Sequence, residues 1–196
     1  MNKLLSFAMV SAICTSAAMP ISAAETNPAK ASIVLSNFAK EAVAVPVKPG
    51  WFVANKMEQN GTYLLQILPP GGSAKDPKVL INVVSYAGLK TTARAFAKKE
   101  QSRAPHLVKP GKMEFKFIEQ STPNDVIFQL TLTGNPKLPD QFEVHRVLVG
   151  KDGLHRIIYH VEPATQTPER ITEMIDLVKG VKLVESIKEA PSGASK

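Results

Sequence analysis

The residue pattern predicts an α+β domain in which an antiparallel β-sheet of about six to seven strands is covered by helices. Three observations carry that expectation. Strand-like runs come in pairs joined by short turns, two helical stretches interrupt them, and no alternating strand-helix series points to a parallel nucleotide-binding sheet.

Taken in order, Met1 to Ala24 reads as a secretory signal peptide. Lys3 precedes an apolar run from Leu4 through Ala18, and Pro20 with the small residues Ser22, Ala23 and Ala24 leads to Glu25. That run is shorter than the ~20 residues a membrane-crossing helix needs. Ile13, not a small residue, precedes Cys14, which argues against lipidation. Cleavage after Ala24 removes the single cysteine, so the exported chain is expected to hold no thiol and no disulfide, in the periplasm or outside the cell.

Residues 25–45 are expected as an N-terminal arm or short helix carrying Ile33, Leu35, Phe38 and Val43. Two prolines in VPVKPG break any helix, so one domain is expected to begin at Pro46 and run to about residue 186. The last ten residues, 187–196, read as a disordered tail. Trp51 to Glu58 and Tyr63 to Leu68 form a hairpin around Asn60-Gly61, with Met57 facing Leu64 and Val53 facing Leu68. Trp51, the sole tryptophan, reads as packing. Val79 to Tyr86 is a buried strand. Thr91 or Thr92 caps a helix that Pro105 and Pro110 end, with Ala93, Phe96 and Ala97 inward.

Met113 to Gln120 and Val126 to Thr133 make a second hairpin, and Phe142 to Val149 with Leu154 to Val161 a third. Thr167-Pro168-Glu169 opens a second helix striped by Ile171, Met174, Ile175 and Val178 and closed by Gly180. Val181 to Val184 follows as a short edge strand.

Charge is unevenly placed. Between Lys90 and Lys116 stand Lys90, Arg94, Lys98, Lys99, Arg103, Lys109, Lys112 and Lys116 against Glu100 and Glu114. On a helix, Lys90, Arg94 and Lys98 share one face, and Lys99 and Arg103 an adjacent row. Two readings follow: a solvated helix face, or a patch for an anionic partner such as an acidic protein or an envelope component, with peripheral membrane contact. Nucleic acid is not expected, because no stacking aromatics interleave with the basic residues.

Catalytic signatures are missing: no G-x-S-x-G, H-E-x-x-H, P-loop or G-x-G-x-x-G occurs, and no cofactor is expected. The third hairpin does concentrate Glu143, His145, His155, His160 and Glu162. A two-residue turn at Asp152-Gly153 would set His145 opposite His160 and Glu143 opposite Glu162, a candidate metal or acid-base cluster. A three-residue turn with a glycine bulge would instead face His145 to Tyr159 and split the cluster between the two sheet faces.

The order of hairpin, strand, long helix, paired hairpins and C-terminal helix over roughly Pro46 to Val184 resembles the PsbP-like family of small exported α/β proteins. That resemblance rests on element order and on the strand ends at Trp51 and at Gly150 to Leu154; no functional motif matches residue by residue. It implies a non-catalytic accessory or assembly role. The first expectation is thus an exported binding protein of bacterial type, and the alternative a metal-assisted hydrolase using the third hairpin.

Overall fold

The computed structural model describes residues 32–75, 77–107 and 109–186, so the segments expected as a leader and a tail lie outside the described residues. The fold is α+β. Chain order begins with β1 (Ser32–Phe38), β2 (Glu41–Val47), β3 (Phe52–Gln59), β4 (Thr62–Leu68), β5 (Val79–Ala87) and α1 (Ala93–Leu107). It continues with β6 (Lys112–Thr122), β7 (Asp125–Thr133), β8 (Gln141–Val149), β9 (Gly153–Val161), α2 (Pro168–Gly180) and β10 (Lys182–Glu185).

Seven strands form one antiparallel sheet in the order β3-β4-β5-β9-β8-β7-β6, and β1-β2-β10 form a second. Alternation gives the large sheet two different faces. On one, Leu65, Ile67, Ile81, Val83, Phe142, Val144, Ile157 and Tyr159 meet Val43, Val45 and Val47 of the small sheet and Met174 and Val178 of α2. On the other, Val126, Phe128, Leu130, Val147 and Leu154 lie under Ala93 and Ala97 of α1. Trp51 packs against the first of these cores, edge-on to Tyr159 with ring centroids 6.0 Å apart.

Several expectations are corrected. No helix forms over the described part of residues 25–45: Val43, Val45 and Val47 recur at a period of two, and the segment pairs as the β1–β2 hairpin. Pro46, expected at a domain boundary, lies inside β2. β10 pairs β2 only from Glu41 to Ala44, so the missing N–H of Pro46 falls where β2 has no second neighbour.

In the first hairpin Met57 does face Leu64, but Val53 faces Ile67, because a bulge at Ala54 shifts the register. Thr92 is the residue that caps α1, its Oγ1 accepting from the Ala95 N–H at 3.1 Å. The helix passes Pro105 and stops at Leu107. Proline is costly in a helix interior, yet this one sits within the final turn.

α2 is capped as expected, with Thr167 accepting from the Arg170 N–H, Pro168 in the first turn and Glu169 at the positive end of the dipole. Its far end is held by a residue that sequence reasoning passed over. Arg146 on β8 donates Nη1 to the carbonyls of Val178, Lys179 and Val181 at 2.9, 2.7 and 2.9 Å. Its Nε and Nη2 grip both oxygens of Asp125 at 2.9 Å. One guanidinium therefore closes α2, starts the turn to β10 and anchors β7.

Replacing Arg146 by Met should lower unfolding free energy by about 3 to 5 kcal/mol, the usual cost of leaving one partner of a shielded ion pair alone. Lys48→Met, which removes the exposed Lys48–Glu173 pair, should cost less than about 1 kcal/mol. Urea unfolding of both variants checks the contrast; equal losses would contradict it.

Candidate functional site

Glycines at both ends of the third turn permit its geometry by leaving room, not by adopting positive φ. A Cβ on Gly150 would collide with the Glu41 carboxylate, and one on Gly153 with the Tyr86 carbonyl. The register is neither of the two expected. Val149 faces Leu154 and the Gly150 N–H bonds the Gly153 carbonyl at 2.9 Å, so Lys151-Asp152 is the tight turn. His145 then faces Ile158 and Glu143 faces His160.

This differs by two residues from the Asp152-Gly153 alternative, and a shift of two preserves faces. Glu143, His145 and His160 therefore share the α1 side of the sheet, while His155 lies on the opposite side. His145 Nε2 is 2.8 Å from one Glu143 oxygen and His160 Nδ1 is 3.4 Å from the other. His145 Nδ1 accepts from Arg156 Nε at 3.1 Å. Arginine can only donate, so Nε2 carries the proton of a neutral His145 and donates it to Glu143.

Arg156 also binds Glu100 of α1 at 3.0 Å and sits 5.8 Å from the Phe96 ring centroid. Burial, then the Arg156 guanidinium, holds His145 below the ordinary histidine value. Burial pushes Glu143 up, but hydrogen bonds from both histidines prevail and keep it an anion well below the ordinary carboxylate range. Glu162 stands apart, 3.9 Å from Lys78. The four residues expected as a metal set thus form a hydrogen-bonded chain plus an outlier, and no group of metal-ligating side chains converges among the described residues.

A second chain lies on the other face and was not anticipated. Ser85 Oγ is 2.8 Å from His155 Nδ1, and His155 Nε2 is 3.4 Å from Glu41 Oε2. The residue types are those of a hydrolytic triad, but Ser85 and His155 are fully buried in the core. The Glu41 carboxylate also receives the N–H groups of Lys151 at 2.6 Å and Asp152 at 3.1 Å. Burial raises the Glu41 carboxyl, yet these donors and His155 outweigh it and bring it below the ordinary value. Through these contacts the chain ties β5 and β9 to the turn of the β1–β2 hairpin.

The basic residues divide. Lys90 precedes α1, so it extends no helical row, and Lys109 follows the helix. Met113 and Phe115 pack on the α1 side, which turns Lys112 and Lys116 to the opposite face of β6. On α1 itself Arg94, Lys98 and Lys99 are exposed and Arg103 is half-buried. None of these four forms an ion pair among the described residues, whereas Glu100, the one acid of α1, is taken by Arg156.

No family model and no curated protein matches this chain. No helix among the described residues is long and apolar enough to cross a membrane.

The buried histidines make stability depend on pH with a definite sign. Burial holds His155, like His145, below the ordinary value of 6.5, so the unfolded chain takes up protons that the native one refuses. Their contribution is complete above about pH 6.5 and is lost as the pH falls below it. The lowered carboxyls of Glu41 and Glu143 extend the loss below their ordinary 4.5. The urea midpoint should therefore drop between about pH 7.5 and 5.5, and His155→Gln should flatten part of that slope. A wild-type midpoint constant over this interval would contradict the assignment.

Proposed function

We propose that the protein is an exported, non-catalytic binding or accessory protein whose α1 surface meets an anionic partner, either an acidic protein or an envelope surface. The observation that carries this reading is the set of Arg94, Lys98 and Lys99, exposed together on one helix with no acidic partner among the described residues. A helix face of one sign concentrates potential and draws opposite charge to it. Arg103 flanks the set from the side of Phe96 and Glu100, at the i+7 and i+3 positions of a common face.

Two further considerations support the reading. The buried polar chains commit Ser85, His145, His155, Glu41 and Glu143 to one another, leaving them unsuited to attack a substrate. The leader expected over Met1 to Ala24 and the resemblance to PsbP-like proteins point to an exported accessory role. Lys112 and Lys116, turned to the far side of β6, are excluded from the proposed surface.

The triple variant Arg94→Gln, Lys98→Gln, Lys99→Gln tests it. At about 1 kcal/mol for each basic residue near an anionic surface, affinity for phosphatidylglycerol vesicles should fall about 100-fold, and partners recovered from an envelope extract should be lost in parallel. Retention by vesicles and extract alike, at wild-type levels, would remove α1 from the account.

A further inference from the structure

β3 is an outer strand of the large sheet, and its free backbone edge pairs with no strand among the described residues. The bulge at Ala54 distorts its beginning, and Asn60, with a φ of 51°, starts the turn to β4. Between them lies a regular segment of strand, Asn55-Lys56-Met57-Glu58-Gln59, whose last four residues are exposed. Met57 is among the exposed large apolar side chains. Neither Lys56 nor Glu58 has an ion-pair partner among the described residues, although the exposed Lys48 and Lys78 both do.

This segment is complementary to itself. An antiparallel copy related by a two-fold axis at Met57 sets Met57 against Met57 of the second copy. Lys56 then lies opposite Glu58 of the second copy, Glu58 opposite its Lys56, and Asn55 opposite its Gln59. Directly opposed residues share a sheet face, so the two reciprocal ion pairs form on one side, and the methionine contact with its flanking amides forms on the other. Registers displaced by two residues are disfavoured by the same charges: one sets Lys56 against Lys56, the other Glu58 against Glu58. An edge lysine ordinarily discourages strand addition. Here Glu58, two residues away, admits a single register of a single partner.

We propose that the protein forms a two-fold symmetric dimer through antiparallel β3–β3 pairing, which joins two seven-stranded sheets into one continuous sheet. The interface is isologous, so it closes after two copies and does not propagate. α1 lies over β6, β7 and β8 at the other end of the large sheet, leaving the basic helix surface of each copy uncovered.

Sedimentation equilibrium on the full chain tests this with charge reversals at exposed positions, whose folding is checked by circular dichroism. Lys56→Glu alone and Glu58→Lys alone each set like charges opposite one another in both pairs, and should weaken self-association about tenfold or more. An equal mixture of the two single variants restores opposite charges and should dimerise as the wild type does. So should the double variant Lys56→Glu/Glu58→Lys. A wild-type chain that stays monomeric at about 100 μM, well above the micromolar range of a modest interface, would overturn the proposal. So would a dimer indifferent to the single reversals, or a mixture that fails to recover association.

Discussion

The Glu41 carboxylate is the contact on which the arrangement of the two sheets depends. It stands at the turn of the β1–β2 hairpin and accepts the N–H groups of Lys151 and Asp152 across the β8–β9 turn. Those amides point away from their own hairpin and would otherwise be left to find partners in a half-buried position. The Lys40 N–H returns the contact to Asp152 Oδ2 at 2.6 Å, and the Ser186 N–H reaches the Lys40 carbonyl at 2.9 Å. Three chain segments far apart in sequence are thereby pinned at one corner, with Gly150 supplying the room. Arg146 performs the matching task at the C-terminal end of α2. Together they seat the small sheet and α2 over one apolar face of the large sheet.

These clamps engage the buried histidines, Ser85 and the carboxylates of Glu41 and Glu143, while Ser36 Oγ, Asn37 Oδ1 and Asn82 Oδ1 stay buried without a hydrogen-bond partner. Ser85, His155 and Glu41 form one chain and His145, Glu143 and His160 another, on opposite faces of β8 and β9. A buried polar group without a partner is costly, whereas a completed network specifies one packing. Each histidine with both nitrogens engaged has a defined tautomer and no lone pair to offer. The two surfaces proposed for interaction, the basic face of α1 and the edge of β3, lie outside these networks.

Features set by neighbours in sequence were legible without coordinates. Asn60-Gly61 marks the first hairpin turn, the Thr91-Thr92 pair and Thr167 mark helix starts, and VLINVVSY marks the buried strand β5, because turn torsions, caps and β-branched runs act over a few residues. Features set by distant contacts were not. Val43, Val45 and Val47 do alternate, but Pro46 obscured the strand, and only the short reach of β10 explains why proline is tolerated there. The Ala54 bulge leaves no local mark. The third hairpin turns on Lys151-Asp152 because Glu41, more than a hundred residues earlier, holds those two amides. The basic cluster was visible as composition, yet strand alternation at Met113 and Phe115 was needed to separate Lys112 and Lys116 from α1.

Amide hydrogen exchange at Lys151 and Asp152, followed in the wild type and in Glu41→Ala, tests the central clamp most directly. Both amides should be protected in the wild type to nearly the level of β8 and β9. The substitution should raise their exchange at least about tenfold more than that of the remote β3–β4 hairpin, as expected when a local closing contact is lost. Free exchange at these two positions in the wild type, or protection unchanged by the substitution, would contradict the account.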